Sequence, residues 1–156
     1  MTAIDDRRVT LAGMLIGIGL GGFIDGIVLH QILQWHNMLS SVHPPATLPA
    51  MHLNMRADGW FHAGTWAATA LGVALLWRSA RGGAAARLPG RWFLGTALAG
   101  WGLFNFIEGL VDHQLLGLHH VRGYPDPAWD WGFVIVGGLG LIVAGMALRH
   151  RGGGER

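Results

Sequence analysis

The sequence contains no cysteine, which excludes disulfides, thiolate metal ligands and iron–sulfur clusters in one step. It has little charge: 13% of its 156 residues are Asp, Glu, Lys or Arg, against about 25% in soluble domains. With 51% hydrophobic residues and a mean hydropathy of +0.37, it is too apolar for an ordinary soluble domain. Lysine is absent too, so arginine carries all the basic charge. Chemistry must therefore rest on histidine, carboxylates, methionine, the single tyrosine or a bound cofactor. No nucleophile stands beside an evident base, so hydrolysis has no positive support. The basic balance needs no nucleic acid, because the arginines flank apolar stretches and suit anionic lipid headgroups.

What is present is apolar sequence in long runs. Stretches at roughly 11–35, 61–77, 92–118 and 131–148 approach or exceed the about 20 helical residues that span a hydrocarbon core. The expected fold is an all-α membrane protein, a four-transmembrane-helix bundle forming a single domain over residues 1–156. Arg7, Arg8, Arg78, Arg81, Arg87, Arg91, Arg149, Arg151 and Arg156 fall on the side of both termini and the middle loop, Arg56 and Arg122 on the other. The positive-inside rule then predicts cytoplasmic termini. The first stretch exceeds a signal-peptide core and no small-residue cleavage site follows it, so it is expected to be retained. The first helix is predicted from near Thr10 to about Asn37 or Met38. Residues 39–57, broken by Pro44, Pro45 and Pro49, read as a long loop carrying His43, Met51, His52 and Met55. Gly13, Gly17 and Gly21 form a stripe that admits a close helix neighbour.

The segment 22–36 recurs 83 positions on, at 105–119. Asp25 matches Glu108, Gly26 matches Gly109, His30 matches His113, Gln31 matches Gln114 and His36 matches His119. Two repeats are expected, about 9–79 and 91–149, of parallel topology and related by a pseudo-twofold axis along the membrane normal. Asp58 and Asp130 occupy similar places in the second and fourth helices, but His62 falls opposite Val134 and the register there is loose.

Eight of the nine histidines and the carboxylates Asp25, Asp58, Glu108 and Asp112 lie toward the external side. Residues 9–24, 63–77, 92–104 and 131–148 hold no ionisable side chain. Ionisable groups inside a membrane are costly and persist where they pair, line water or bind something. The candidate metal ligands are His30, His113, His62, His36 and His119, with Asp25, Glu108, Asp112 and Asp58 as ligands or as acceptors that fix the imidazole tautomers. On a straight helix turning about 100° per residue, His30 and His36 cannot face one ion without distortion. The expected levels pair His30 with His113, joined by His62, and His36 with His119 nearer the water.

Imidazole with carboxylate suits Cu, Fe, Zn or Mn, and thioethers from Met38, Met51 and Met55 would favour copper. One alternative is a small b-type haem protein with His30 and His113 as axial ligands and Gly26 and Gly109 making room for the macrocycle. Another is a structural or assembly subunit whose histidines serve as interhelical hydrogen-bond partners. Trp35, Trp60, Trp129 and Trp131 read as interfacial anchors. Expected partners are membrane lipid, respiratory-chain or metal-handling membrane proteins, and a second copy of the chain through its glycine stripes. A transporter is less favoured, since the cytoplasmic halves offer no ionisable stepping stones.

The run Gly-Phe-Ile-Asp-Gly-Ile-Val-Leu-His-Gln at 22–31, Asp58-Gly59-Trp60-Phe61-His62, and Asn105-Phe106-Ile107-Glu108-Gly109 continuing to Leu118-His119-His120-Val121-Arg122 resemble the bacterial membrane-protein family catalogued as domain of unknown function 2243. The resemblance spans nearly the whole chain and implies a four-span protein of the bacterial inner membrane.

Overall fold

The computed structural model describes residues 3–81 and 90–153, and within them the chain is helix and connecting loop. Arg87, Arg156 and most of the middle loop lie outside the described residues. Helix α1 (Ala3–Ile24) runs on without a break as π-helix over Asp25–Ile32. After a loop comes α2 (Leu48–Arg81), then α3 (Gly90–Glu108), which also continues as π-helix, over Gly109–Leu115. The last helical stretch joins α4 (Pro127–Gly132), a π-helical segment Phe133–Gly140 and α5 (Leu141–Gly153). Among the described residues, Arg7–Ile32, Gly90–Leu115 and Pro127–Arg151 are long and apolar enough to cross a membrane.

Small residues decide how the helices meet. Helix α1 packs against α2 and α3, and α3 packs against α5 and the π-helical segment before it. A Cβ on Gly17 would overlap the Ala97 carbonyl, and one on Gly100 would overlap the Met14 carbonyl. Backbones this close leave no room for side chains between them. The two contacts are the same contact displaced by 83 residues on each partner. Gly72 likewise lies on Ala12 and Ile16, as Gly145 lies on Gly95 and Ala99.

The same comparison resolves the loose register of the second and fourth helices. Gly26 meets Phe61 and His62, and Gly109 meets Phe133 and Val134, an offset of 72 residues in the partner helix. Gly19 meets Thr65 and Thr69, and Gly102 meets Gly138 and Ile142, an offset of 73. The additional residue falls within Phe133–Gly140, where π winding absorbs it. A π turn takes one residue more than an α turn.

Three expectations about helix ends are corrected. Helix α1 opens at Ala3, ahead of Thr10. The first helix stops at Ile32 instead of reaching 37 or 38. The N–H of Leu33 reaches back to the Val28 carbonyl (2.8 Å) and that of Trp35 to the Leu29 carbonyl (3.0 Å), while Gln34 takes a left-handed φ of 51°. The end of the π-helix after α3 is built alike, from Leu116 to Val111 (2.8 Å), Leu118 to Asp112 (2.8 Å), and Gly117 at φ 58°. Residues 48–57, read as loop, are the opening turns of α2. Pro49 sits in the first turn, where its missing N–H costs nothing. Asn54, on the buried face of this added stretch, accepts from Leu39 N (3.1 Å) and donates to the His43 (2.8 Å) and Ala50 (3.0 Å) carbonyls. It thereby ties the loop after α1 to α2.

The close helix contacts predict unequal tolerance among glycines. Gly17→Leu and Gly100→Leu should each destabilise the protein by about 1–3 kcal/mol or more through overpacking. Gly64, which has open space around its Cβ position, should accept Ala with no loss, since Ala favours the helix by up to about 1 kcal/mol. Thermal unfolding in detergent checks the ranking, and equal effects at all three positions would contradict this account of the packing.

Candidate metal centre

The π-helical ends and the turns after them determine where the imidazoles go. Each π segment ends two residues beyond a buried histidine, His30 or His113. The left-handed turn at Gln34 or Gly117 then folds the chain back, so that His36 or His119 returns over that ring. The His30 and His36 centroids lie 4.5 Å apart, those of His113 and His119 4.8 Å. His36 and His119 stack face to face at 4.6 Å and 9°. The reversal supplies the distortion that a straight helix lacks. The pairing expected between His36 and His119 is present, whereas His30 meets His36 and His119 where contact with His113 was expected.

The Nδ1 side of these rings faces acceptors. His36 Nδ1 donates to the Val121 carbonyl (2.9 Å), and His119 Nδ1 donates to the Met38 carbonyl (3.1 Å). Each ring is thus held by backbone from the other half of the chain, and the two carbonyls are again 83 residues apart. His30 Nδ1 donates to Asp58 Oδ1 (3.1 Å), while His113 Nδ1 points toward Asp130 Oδ1 at 3.8 Å. The two aspartates are themselves fixed. Asp58 accepts from Met38 N (2.8 Å) and Asn37 Nδ2 (2.8 Å); Asp130 accepts from Val121 N (3.0 Å) and His120 Nδ1 (2.7 Å).

The Nε2 side faces inward, toward Asp25 and Glu108. His30 Nε2 lies 3.1 Å from Asp25 Oδ2, and Glu108 Oε1 lies 3.2 Å from His113 Nε2 and 2.9 Å from His119 Nε2. Asp25, His30, His36, Glu108, His113 and His119 are each at most 6% exposed. No hydrogen bond satisfies His30 Nε2, His36 Nε2, His113 Nε2, either oxygen of Asp25 or Oε2 of Glu108. Leaving one such buried atom unpaired costs about 1–3 kcal/mol.

The tautomers follow from the acceptors. A carbonyl only accepts, so the rings of His36 and His119 carry hydrogen on Nδ1, and a neutral ring then presents a lone pair at Nε2. His119 Nε2 is itself hydrogen-bonded to Glu108 Oε1 (2.9 Å), so of these two rings it is His36 that presents an unpaired Nε2. His30, His36 and His119 offer ligand atoms that lie within 4.8 Å of one another, as do Glu108, His113 and His119. These are the distances over which side chains share an ion.

Not every candidate joins the cluster. Asp58 contacts His30 through the nitrogen turned away from the cluster, so its position is that of an orienting acceptor. His62 hydrogen-bonds through Nδ1 to the carbonyl of Asp58 on its own helix (2.8 Å) and packs on Gly26, outside both three-residue groups. Asp112 is half-buried in a cleft beside Glu108. Met51 and Met55 are exposed on α2, and His43 and His52 are exposed as well. Trp35 meets Trp129 edge to face (5.6 Å), and the Arg122 guanidinium lies 5.2 Å from each ring. The residues that sequence reasoning left out are Asp130, His120, Asn37 and the carbonyls of Met38 and Val121. The correspondence of Asp58 with Asp130 was the available signal; carbonyls have none.

Burial, reinforced by the nearby rings of His119 and His30, lowers the pKa of His36 from the ordinary 6.5 to about 3. The ring is neutral across physiological pH and keeps its Nε2 lone pair. A depressed imidazole pKa contributes stability that is complete above the unfolded-state value and is lost as pH falls toward the folded one. The melting temperature of metal-free protein should therefore fall on acidification below about pH 6.5. His36→Asn, which removes the titrating group, should flatten that slope. An unchanged slope would contradict the neutral assignment.

No curated protein and no solved structure matches the chain. A family described as Predicted membrane protein (DUF2243) matches residues 12–152, and three helical stretches long and apolar enough to cross a membrane stand in the described residues. The chain belongs to this family of membrane proteins.

Proposed function

We propose that this membrane protein binds one or two transition-metal ions, Cu, Fe or Zn, at two overlapping three-residue ligand sets, His30–His36–His119 and Glu108–His113–His119, with Asp25 beside His30, for redox chemistry or metal handling. The carrying observation is that His30 and His36, held at Nδ1 by Asp58 and the Val121 carbonyl, keep buried Nε2 atoms without a hydrogen-bond partner in a cluster that also contains the unpartnered Asp25 carboxylate. Histidines that bind metals are held in this way, one ring nitrogen donating to an acceptor and the other free for the ion. Mixed nitrogen and oxygen donors without thiolate suit all three metals.

The wider architecture belongs to the same proposal. The chain is read as a single four-span domain, with α2 as the span additional to the three apolar ones. In support, α2 has 34 residues, about 50 Å of helix, and lies along α1 through Gly19 and Gly72. Two repeats related by a pseudo-twofold axis along the membrane normal are supported by the paired contacts of Gly17 with Gly100 and Gly72 with Gly145 and by the crossed bonds of His36 and His119. The arginine distribution supports cytoplasmic termini in a bacterial inner membrane, with the ligand cluster toward the external side. A cleft of about 490 Å³ lined by His36, Asn37, Ser40, His120 and Tyr124 gives that side an approach to the cluster. A haem between His30 and His113 has less support, since Gly26 and Gly109 face Phe61 with His62 and Phe133 with Val134 instead of open space.

Protein purified in detergent should carry at least one transition-metal ion per chain by elemental analysis and show no Soret band. His30→Ala combined with His113→Ala should abolish the bound metal. Metal content at background in the wild type, or unchanged in the double variant, would overturn the proposal in favour of a structural hydrogen-bond network. Asp58→Asn retains a hydrogen-bonding group and leaves every ligand in place. It should weaken metal binding by about 10–100-fold, the usual effect of losing an orienting acceptor, without changing the stoichiometry. Competition with a chelator of known affinity reads the change, and no weakening would remove Asp58 from that role.

A further inference from the structure

The contact between α1 and α3 has a membrane-facing cleft on either side, and the two clefts differ in one respect. One, of about 360 Å³, is wholly apolar and includes Leu20, Ile24, Val28 and Trp101. The other, of about 310 Å³, is walled by Ile18, Phe61, Phe104 and Val111 and ends in two carboxylates, Glu108 and Asp112. The clefts are counterparts, since Val28 and Val111, like Ile18 and Trp101, stand 83 positions apart. Asp112, however, stands where the first copy of the sequence has Leu29.

A carboxylate inside a spanning segment is costly unless it meets a partner or a ligand. The Asp112 carboxylate makes no hydrogen bond among the described residues. Glu108 is 94% buried, and while Oε1 faces His113 and His119, Oε2 has no partner. The polar end of the cleft therefore offers acceptors and no donor. The rings of Phe61 and Phe104, 5.9 Å apart, flank its apolar part. Small-molecule pockets begin at about 300 Å³ and combine apolar walls with a few placed polar groups. What fits is a ring that dissolves in lipid and carries a hydroxyl donor; an anionic headgroup would be repelled and an acyl chain has nothing to donate.

We propose that this cleft binds a lipid-soluble phenol or hydroquinone, its hydroxyl donating to Asp112 beside Glu108 and its ring lying against Phe61 and Phe104. The site rests on the placement of α3 in the membrane and not on an ion being bound. It nevertheless adjoins the proposed metal centre, because Glu108 belongs to both and Phe61 stacks on His30 at 5.7 Å.

The test is calorimetric titration of the protein in zwitterionic lipid nanodiscs under argon, as isolated and after chelation, with decylhydroquinone and its dimethyl ether. Saturable binding of the hydroquinone is expected, at least tenfold weaker for the ether, which cannot donate. Asp112→Leu, which copies the residue at Leu29, and Val111→Trp, which fills the cleft, should each weaken hydroquinone binding at least tenfold. Val28→Trp, in the apolar counterpart, should leave it unchanged. Binding no stronger than partitioning into empty nanodiscs, equal binding of the ether, or full affinity in both Asp112→Leu and Val111→Trp would overturn the proposal. Parallel elemental analysis keeps the two readings separate: normal hydroquinone binding by protein that holds no metal would sink the metal centre alone.

Discussion

Two hydrogen bonds that cross between the halves of the chain hold the centre of this molecule together: His36 donates to the Val121 carbonyl and His119 donates to the Met38 carbonyl. Because a carbonyl can only accept, each bond selects a tautomer as well as a position. Once Nδ1 is committed, Nε2 is directed into the space shared with Asp25, His30, Glu108 and His113. The residues that carry these carbonyls have their own N–H groups held by Asp58 and Asp130. The loop backbone is thus fixed by the same aspartates that face His30 and His113.

The polar interior is affordable only as a connected whole. Burying one imidazole or one carboxylate in an apolar bundle costs several kcal/mol, and here each orienting group serves more than one ring or loop. Apart from His113 Nδ1, the unsatisfied atoms belong to the groups gathered around Asp25 and Glu108, and buried polar atoms without a partner call for one. Several departures from exact repetition fall here: Glu108 for Asp25, Asp112 for Leu29, His120 for Asn37 and Val134 for His62. The longer Glu108 side chain contacts two rings, whereas Asp25 contacts only His30.

Much of this arrangement was legible in the sequence, because duplication preserved both residue type and spacing. The register of 83 positions singled out Asp25, His30 and His36 with Glu108, His113 and His119, and composition placed them among apolar helices. The path of the chain after Ile32 was not legible. A periodicity argument assumes a straight α-helix, and on such a helix His36 points away from His30. The π winding over Asp25–Ile32 and the left-handed Gln34 break that assumption, and Gln34 carries no signal for it, although its counterpart Gly117 does. The early start of α2 was hidden for a related reason: Pro49 reads as a helix breaker unless its place in the first turn is known. Asp58 was legible as a ligand or an orienting acceptor, but not which of the two, since which ring nitrogen a carboxylate faces depends on a loop that the sequence does not describe.

X-ray absorption at the edge of the metal found in purified protein tests the central claim most directly, because it reports which atoms surround the ion. The account predicts light-atom ligands at about 2.0–2.1 Å with the outer-shell scattering of several imidazoles, as for zinc bound by histidine and carboxylate. A bound metal whose spectrum lacks imidazole scattering would contradict ligation by His30, His36, His113 and His119.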